Sequence, residues 1–166
     1  MGEGVEIGAD SYFANRSKLE VTYKKGRLDV IRYDDTVKDL PAGQLHRLFQ
    51  AVGWSDGHET AEMAEKFNLP FIRSTMVVSA WSGERLVGAI RVLSDTITRS
   101  VIYDLVVDPD FQGRGIGREL VKRCIAHFPQ TEWLVQTTAE IAGYYEALGF
   151  ERHPGVILRI PGQWAK

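Results

Sequence analysis

The stretch that most constrains this 166-residue chain is the junction at Leu105–Arg118. An apolar run ending in Leu105-Val106-Val107 gives way to Asp108-Pro109-Asp110-Phe111-Gln112, and then to glycines at the alternate positions 113, 115 and 117. Ile116, Leu120, Val121, Cys124, Ile125 and Phe128 follow at the spacing of a single helix face. A strand therefore feeds a glycine-rich loop that opens a helix. The backbone N–H groups at such a start have no intrahelical acceptor, and glycine lets an anion come close, so the form suits a phosphate. It is not a dinucleotide fingerprint, because Arg118 stands where G-x-G-x-x-G places its last glycine, and no Gly-Lys-Ser/Thr makes it a P-loop. Taken alone, a turn that merely connects strand to helix is an equally good reading.

The elements on either side narrow the choice. Leu19 to Tyr23 and Leu28 to Tyr33 alternate around a glycine-containing turn and predict a hairpin. Pro41 opens a helix with Leu45, Leu48, Phe49 and Val52 on one face and Gly53 as its stop. A second helix is expected over Glu59 to Phe67, ended by Asn68-Leu69-Pro70. Ser74 to Trp81, Leu86 to Leu93 and Ser100 to Val107 read as an antiparallel meander. After the helix at Ile116 come a strand at Trp133 to Thr137, a helix from Thr138 to Leu148 stopped by Gly149, and a closing strand at Val156 to Ile160. This order predicts a mixed α/β sheet with helices on both faces. Residues 1–26 read as a leader or hairpin segment, partly disordered, ahead of a domain over 27–166.

Composition removes several functions. Twenty Lys plus Arg against 22 Asp plus Glu leave a formal net charge of -2, so no global positive field would hold nucleic acid or an anionic membrane. No apolar run reaches the length of a membrane span, and the opening lacks the basic flank and apolar core of a signal peptide, which makes the cytoplasm the expected compartment. Asn15-Arg16-Ser17 then reads as a chance glycosylation match, and Glu6 stands where N-myristoylation at Gly2 wants Ser or Thr. Cys124 is the sole cysteine and lies on the apolar helix stripe, so core packing is expected of it and not nucleophilic catalysis. His58-Glu59-Thr60-Ala61-Glu62 lacks the second His of a zincin, and His46, His127 and His153 form no ligand cluster by spacing; no metal is expected.

The run Leu105-Val106-Val107-Asp108-Pro109-Asp110-Phe111-Gln112-Gly113-Arg114-Gly115-Ile116-Gly117 resembles the acetyl-CoA motif of the GNAT superfamily, (Gln/Arg)-x-x-Gly-x-(Gly/Ala). Downstream, Tyr144-Tyr145-Glu146-Ala147-Leu148-Gly149-Phe150 is similar to that family's (Phe/Tyr)-Tyr-x-x-x-Gly-Phe block. The resemblance is specific over Tyr103 to Phe150 and runs as a pattern of elements from about Tyr33 to Ile160. It implies a GNAT-like, mostly antiparallel central sheet with a splayed strand pair and helices on both faces. It also implies acetyl-CoA as cofactor, its pantetheine arm along the backbone of Leu105, Val106 and Val107. The pyrophosphate would rest on the loop from Gln112 through Gly113, Arg114, Gly115, Ile116, Gly117 and Arg118, where Arg114 and Arg118 could add charge or simply be solvated.

By the same resemblance Tyr145 is the acid that protonates the leaving thiolate, and Asp104 stands where an acidic residue is often found, a candidate base for which an ion-pairing or turn-capping aspartate is an equally good reading. Glu59 and Glu62 are second candidates for the base, with a solvated helix face as the plainer reading. The chain departs from the family at Thr138, where an Asn commonly contacts the cofactor, and at Ile141, where a small residue is usual. Trp54, Trp81 and Arg91 could line an acceptor pocket, though aromatics in such runs are more often core. The expected activity is transfer of acetyl from acetyl-CoA to a primary amine of a small molecule by direct attack. The alternatives are acetylation of a protein lysine or N-terminus, or a non-catalytic acyl-CoA sensor. A homodimer is compatible with either.

Overall fold

The structure, a computed structural model, describes residues 19–24 and 27–160. Strands β1 (Leu19–Lys24) and β2 (Arg27–Asp34) pair antiparallel from Leu19↔Arg32 to Lys24↔Arg27. The turn between them and the leader over 1–18 lie outside the described residues. β3 (Met76–Ser82), β4 (Arg85–Ser94) and β5 (Arg99–Val107) continue the meander, and β6 (Glu132–Val135) joins β5 in parallel. Among the described residues the sheet has six strands in the order of the chain, so the expected mixed, mostly antiparallel sheet is what forms.

Helices cover both faces because alternate strand residues are apolar on both. On one side α1 (Ala42–Ala51) lays Leu45 and Leu48 on Val77, Ala89 and Val106, joined by Leu40, Phe71 and Leu86. On the other, α4 (Ile116–His127) sets Ile116, Leu120, Val121 and Cys124 against Val78, Ala80, Ile90 and Val92. Full burial of each such aliphatic side chain is worth roughly 1.5–3 kcal/mol. The approach of α4 is close: a Cβ on Gly88 of β4 would sit 3.3 Å from both Ile116 Cγ2 and Leu120 Cδ1. Cys124 is fully buried, as its place on the stripe predicts, and burial pushes its thiol pKa up.

Three local expectations are corrected. The second helix is shorter than expected, α2 (Ala61–Glu65), with Thr60 Oγ1 accepting from the Met63 N–H at 3.2 Å. Where a stop was expected, α3 (Leu69–Ile72) begins instead, because Pro70 falls in its first turn, where a missing N–H breaks no helical bond. At the far end α5 (Ala139–Glu146) forms, but Val156–Ile160 is not a strand. Its β-branched composition favours extended backbone, yet a strand also needs a partner, and this segment is paired with none of the described residues.

Candidate active site where two strands part

β5 and β6 are hydrogen-bonded only from Arg99↔Glu132 to Ile102↔Val135. β6 then ends, while β5 continues beside β4 to Val107↔Gly88. From Tyr103 onward, the outer edge of β5 has no strand beside it among the described residues. A bulge at this point sets the side chains: Arg91 pairs with Asp104 and Val92 with Ile102, so Tyr103 has no opposite residue. After the bulge, Val106 packs in the α1 layer and Leu105 and Val107 pack in the α4 layer. Their side chains belong to the cores, so what Leu105–Val107 present to the opening is backbone.

At the head of the opening Asp108 caps a 3-10 turn (Pro109–Phe111), its Oδ1 accepting from the Asp110 N–H at 3.0 Å. Gln112 Nε2 donates to the Val107 carbonyl at 2.9 Å. Gly113 and Gly115 then take φ of 73° and 83°, a region that Cβ-bearing residues rarely enter. Gly115 is the N-cap of α4 and brings no side chain to its orphan donors; Glu119 N–H makes the bond back to Gly115 O at 3.0 Å. The N–H groups of Ile116, Gly117 and Arg118 precede it. A Cβ on Gly117 would lie 2.8 Å from the Tyr144 hydroxyl, so a side chain there would have to displace the tip of that ring where the start of α4 meets the end of α5.

The arginines divide. Arg114 is turned to structural use: its guanidinium ion-pairs with buried Asp29 of β2, stacks 4.8 Å from the Phe111 ring and donates to the Asp110 carbonyl at 2.9 Å. Only its backbone remains for a ligand. Arg118 is exposed and near enough to Tyr144 for its charge to act on that phenol, whose pKa burial nevertheless raises. Thr138 is the N-cap residue of α5, and its hydroxyl bonds Glu140, whose carboxyl is thereby held below the usual range.

Tyr145 is 8% exposed, edge-on to Tyr144 at 5.0 Å and to Phe150 at 5.5 Å. Burial, with a smaller contribution from Tyr144, pushes its pKa up to about 12, so the phenol keeps its proton at neutral pH. Its hydroxyl has no hydrogen-bond partner among the described residues. With Val135, Gln136, Thr137 and Phe150 it lines a cavity of about 690 Å³.

Asp104 lies on the α1 face of the sheet. Its Oδ2 accepts from Arg91 Nε, and its Oδ1 has no partner among the described residues. Arg91 in turn lies 4.3 Å from the Tyr103 ring and 5.8 Å from that of Phe71. Sequence reasoning named both residues but not the pair, which exists only once the β4–β5 register is known. Glu62 pairs with Lys66 one turn on, at 2.6 Å, on an exposed face. Glu59 instead accepts from the Ser55 hydroxyl at 2.5 Å and lies 3.0 Å from His46 Nε2. The Ser55 bond leads in holding its carboxyl below the usual range. Ser55 Oγ also lies 3.2 Å from His46 Nε2, so the three side chains tie α1 to the start of α2. Trp54 packs on Phe49, and Trp81 donates to Ser79 Oγ at 2.8 Å.

The model of the acetyltransferase (GNAT) domain family matches residues 47–158. An uncharacterized N-acetyltransferase of Porphyra purpurea is 29% identical over 155 residues, covering 87% of this chain and 86% of that protein. The histone acetyltransferase TAP1 of Glycine max is 32% identical over 145 residues, 82% of this chain and 62% of its own length. Among solved structures, a GNAT family acetyltransferase from Streptococcus pneumoniae superposes with a TM-score of 0.63 at 28% identity, covering 80% of this chain and 99% of the other.

Proposed function

The chain belongs to the GNAT acetyltransferase family, and from that premise we propose that it transfers an acetyl group from acetyl-CoA to a primary amine of a small molecule by direct attack. One observation carries this reading: β6 stops at Val135 while β5 runs on to Val107, leaving a backbone edge between a glycine-built helix start and a buried phenol. The residues present fit the donor. An extended arm can pair with the edge at Leu105–Val107, and the orphan N–H groups of Ile116, Gly117 and Arg118 suit a pyrophosphate.

Acetyl-CoA supplies an acetyl thioester, whose carbonyl carbon accepts the amine and whose sulfur departs as thiolate. Tyr145 holds a proton at Oη for that sulfur, and its raised pKa ensures that the proton is there to give. Asp104 offers Oδ1 to an amine N–H while Arg91 anchors Oδ2 and fixes the carboxylate plane. Tyr103 and Phe71, both against Arg91, give the acceptor side an aromatic lining. Arg114 stiffens the loop through Asp29 rather than adding charge to it.

The likeness to a histone acetyltransferase favours a second reading, a lysine or N-terminal amine on a protein. Free-thiol release from acetyl-CoA, measured against polyamines, aminoglycosides, arylalkylamines, amino acids and short peptides, separates the two. Turnover with one class of small amine is the expected result. Turnover with peptides alone supports the second reading, and calorimetric binding of acetyl-CoA without any turnover overturns both in favour of a sensor.

A further inference from the structure

Tyr144 precedes Tyr145 on α5 and faces a different place. Tyr145, its ring at 84° to that of Tyr144, lines the cavity beside β6. Tyr144 instead reaches the start of α4: a Cβ on Gly117 would lie 2.8 Å from its hydroxyl, 3.6 Å from its Cζ and 3.7 Å from Val107 Cγ2. The space over Gly117 is thus bounded by the tip of one phenol and by the last residue of β5.

Three kinds of donor meet there. The N–H groups of Ile116, Gly117 and Arg118 have no acceptor within the helix. Arg118 brings an exposed guanidinium whose charge acts on the Tyr144 phenol, yet burial keeps the pKa of that phenol above its ordinary value, so it carries its proton at neutral pH. The Tyr144 hydroxyl itself has no hydrogen-bond partner among the described residues, on a ring that is 37% exposed. The two carboxylates of α5 are engaged elsewhere, Glu140 with the Thr138 hydroxyl and Glu146 with Arg152 at 2.6 Å. Such a set wants a partner that only accepts, and the oxygens of a phosphate do only that.

We propose that the Tyr144 hydroxyl donates a hydrogen bond to the pyrophosphate of acetyl-CoA, beside the N–H groups at the start of α4. Two adjacent tyrosines then hold the two ends of one donor, Tyr144 at the phosphates and Tyr145 at the sulfur. This role rests on the acetyl-CoA reading above and adds a side chain to an anion seat otherwise built of backbone. It also gives a reason for glycine at position 117. A phosphate oxygen that approaches the Gly117 backbone comes within hydrogen-bond reach of the phenol, whereas a side chain there would hold the two apart.

Calorimetry on the full chain and on Tyr144→Phe tests it with two ligands: acetyl-CoA, and the phosphoadenosine diphosphate portion of CoA, which keeps the phosphates and lacks the pantetheine arm. The substitution removes one oxygen and keeps the ring that packs on Tyr145, and an unchanged circular dichroism spectrum and Tm show that the fold is intact. The Kd of both ligands is expected to rise about tenfold, the scale of one hydrogen bond to a charged acceptor. A loss for acetyl-CoA with none for the phosphate portion would place the hydroxyl on the arm and overturn the proposal. Affinities that stay equal or tighten would make the phenol a bystander or an obstacle, and overturn it too. A wild type that binds acetyl-CoA while the phosphate portion fails to displace it would take the phosphates off the start of α4, overturning this role and sparing the donor reading. A wild type that binds neither overturns both.

Discussion

The two edges of β5 are built differently. Toward β4, pairing runs from Ser94↔Ser100 to Gly88↔Val107, broken only by the bulge at Tyr103; toward β6 it covers only Arg99–Ile102. The same residues thus form sheet interior on one side and, on the other, an edge with no neighbouring strand among the described residues, its last carbonyl, that of Val107, taken by Gln112 Nε2. What makes Leu105–Val107 a candidate binding surface is therefore not their side chains, which any core strand could carry, but the point at which a neighbour stops. If that is right, changes at the open edge should reach activity and spare stability, and changes on the paired side should do the reverse.

The largest effect is expected at Tyr145. Tyr145→Phe should lower kcat by about a hundredfold, the scale of a lost general acid, with the Kd for acetyl-CoA within about twofold of wild type. Thiol release and calorimetry measure the two; an equal loss in both would make the phenol a binding group. Gly117→Val is next. Its Cβ would meet the Tyr144 hydroxyl at 2.8 Å, at the helix start where the pyrophosphate is expected, so acetyl-CoA affinity should fall at least about tenfold. An unchanged Kd would move the anion seat elsewhere. On the paired side, Gly88→Ala pushes a methyl to within 3.3 Å of Ile116 and Leu120. Overpacking of that kind costs about 1 kcal/mol, or roughly 3 °C in Tm for a chain of this size, and kcat should hold.

How much of this was legible in the sequence depends on the range of the interactions involved. The α4 stripe, the glycine loop and the meander come from local periodicity, and all formed where the pattern placed them. Asn68-Leu69-Pro70 misled because proline ends one helix and opens another with equal ease. Val156–Ile160 misled because strand propensity does not supply a neighbour. At the site, the roles proposed for the backbone of Leu105–Val107 and for Tyr145 came from a resemblance carried by contiguous motifs. The partners did not: Arg114 finds Asp29 85 residues away, and Arg91 finds Asp104 across a bulged pair. Such contacts are set by register and by which face a helix turns to the sheet, and no local spacing encodes them.

The smallest expected effect probes the turn that holds the paired edge together. Asp95, between β4 and β5, accepts from the N–H groups of Ile97 at 2.9 Å, Thr98 at 2.8 Å and Arg99 at 2.9 Å, and from the Thr98 hydroxyl at 2.5 Å. These bonds, that of Arg99 first, hold its carboxyl far below the usual range. A carboxylate depressed on folding stabilises the fold fully above its unfolded pKa of about 3.9 and loses that contribution as pH falls toward the folded value. Wild type should therefore be more stable than Asp95→Asn by a constant margin above about pH 5, and the margin should shrink steadily as the pH drops below about 4. Chemical denaturation across that range reads the margin directly. A gap that stays constant down to acid pH would mean that the turn is held by geometry alone, and that the well-paired edge of β5 owes nothing to the charge at its end.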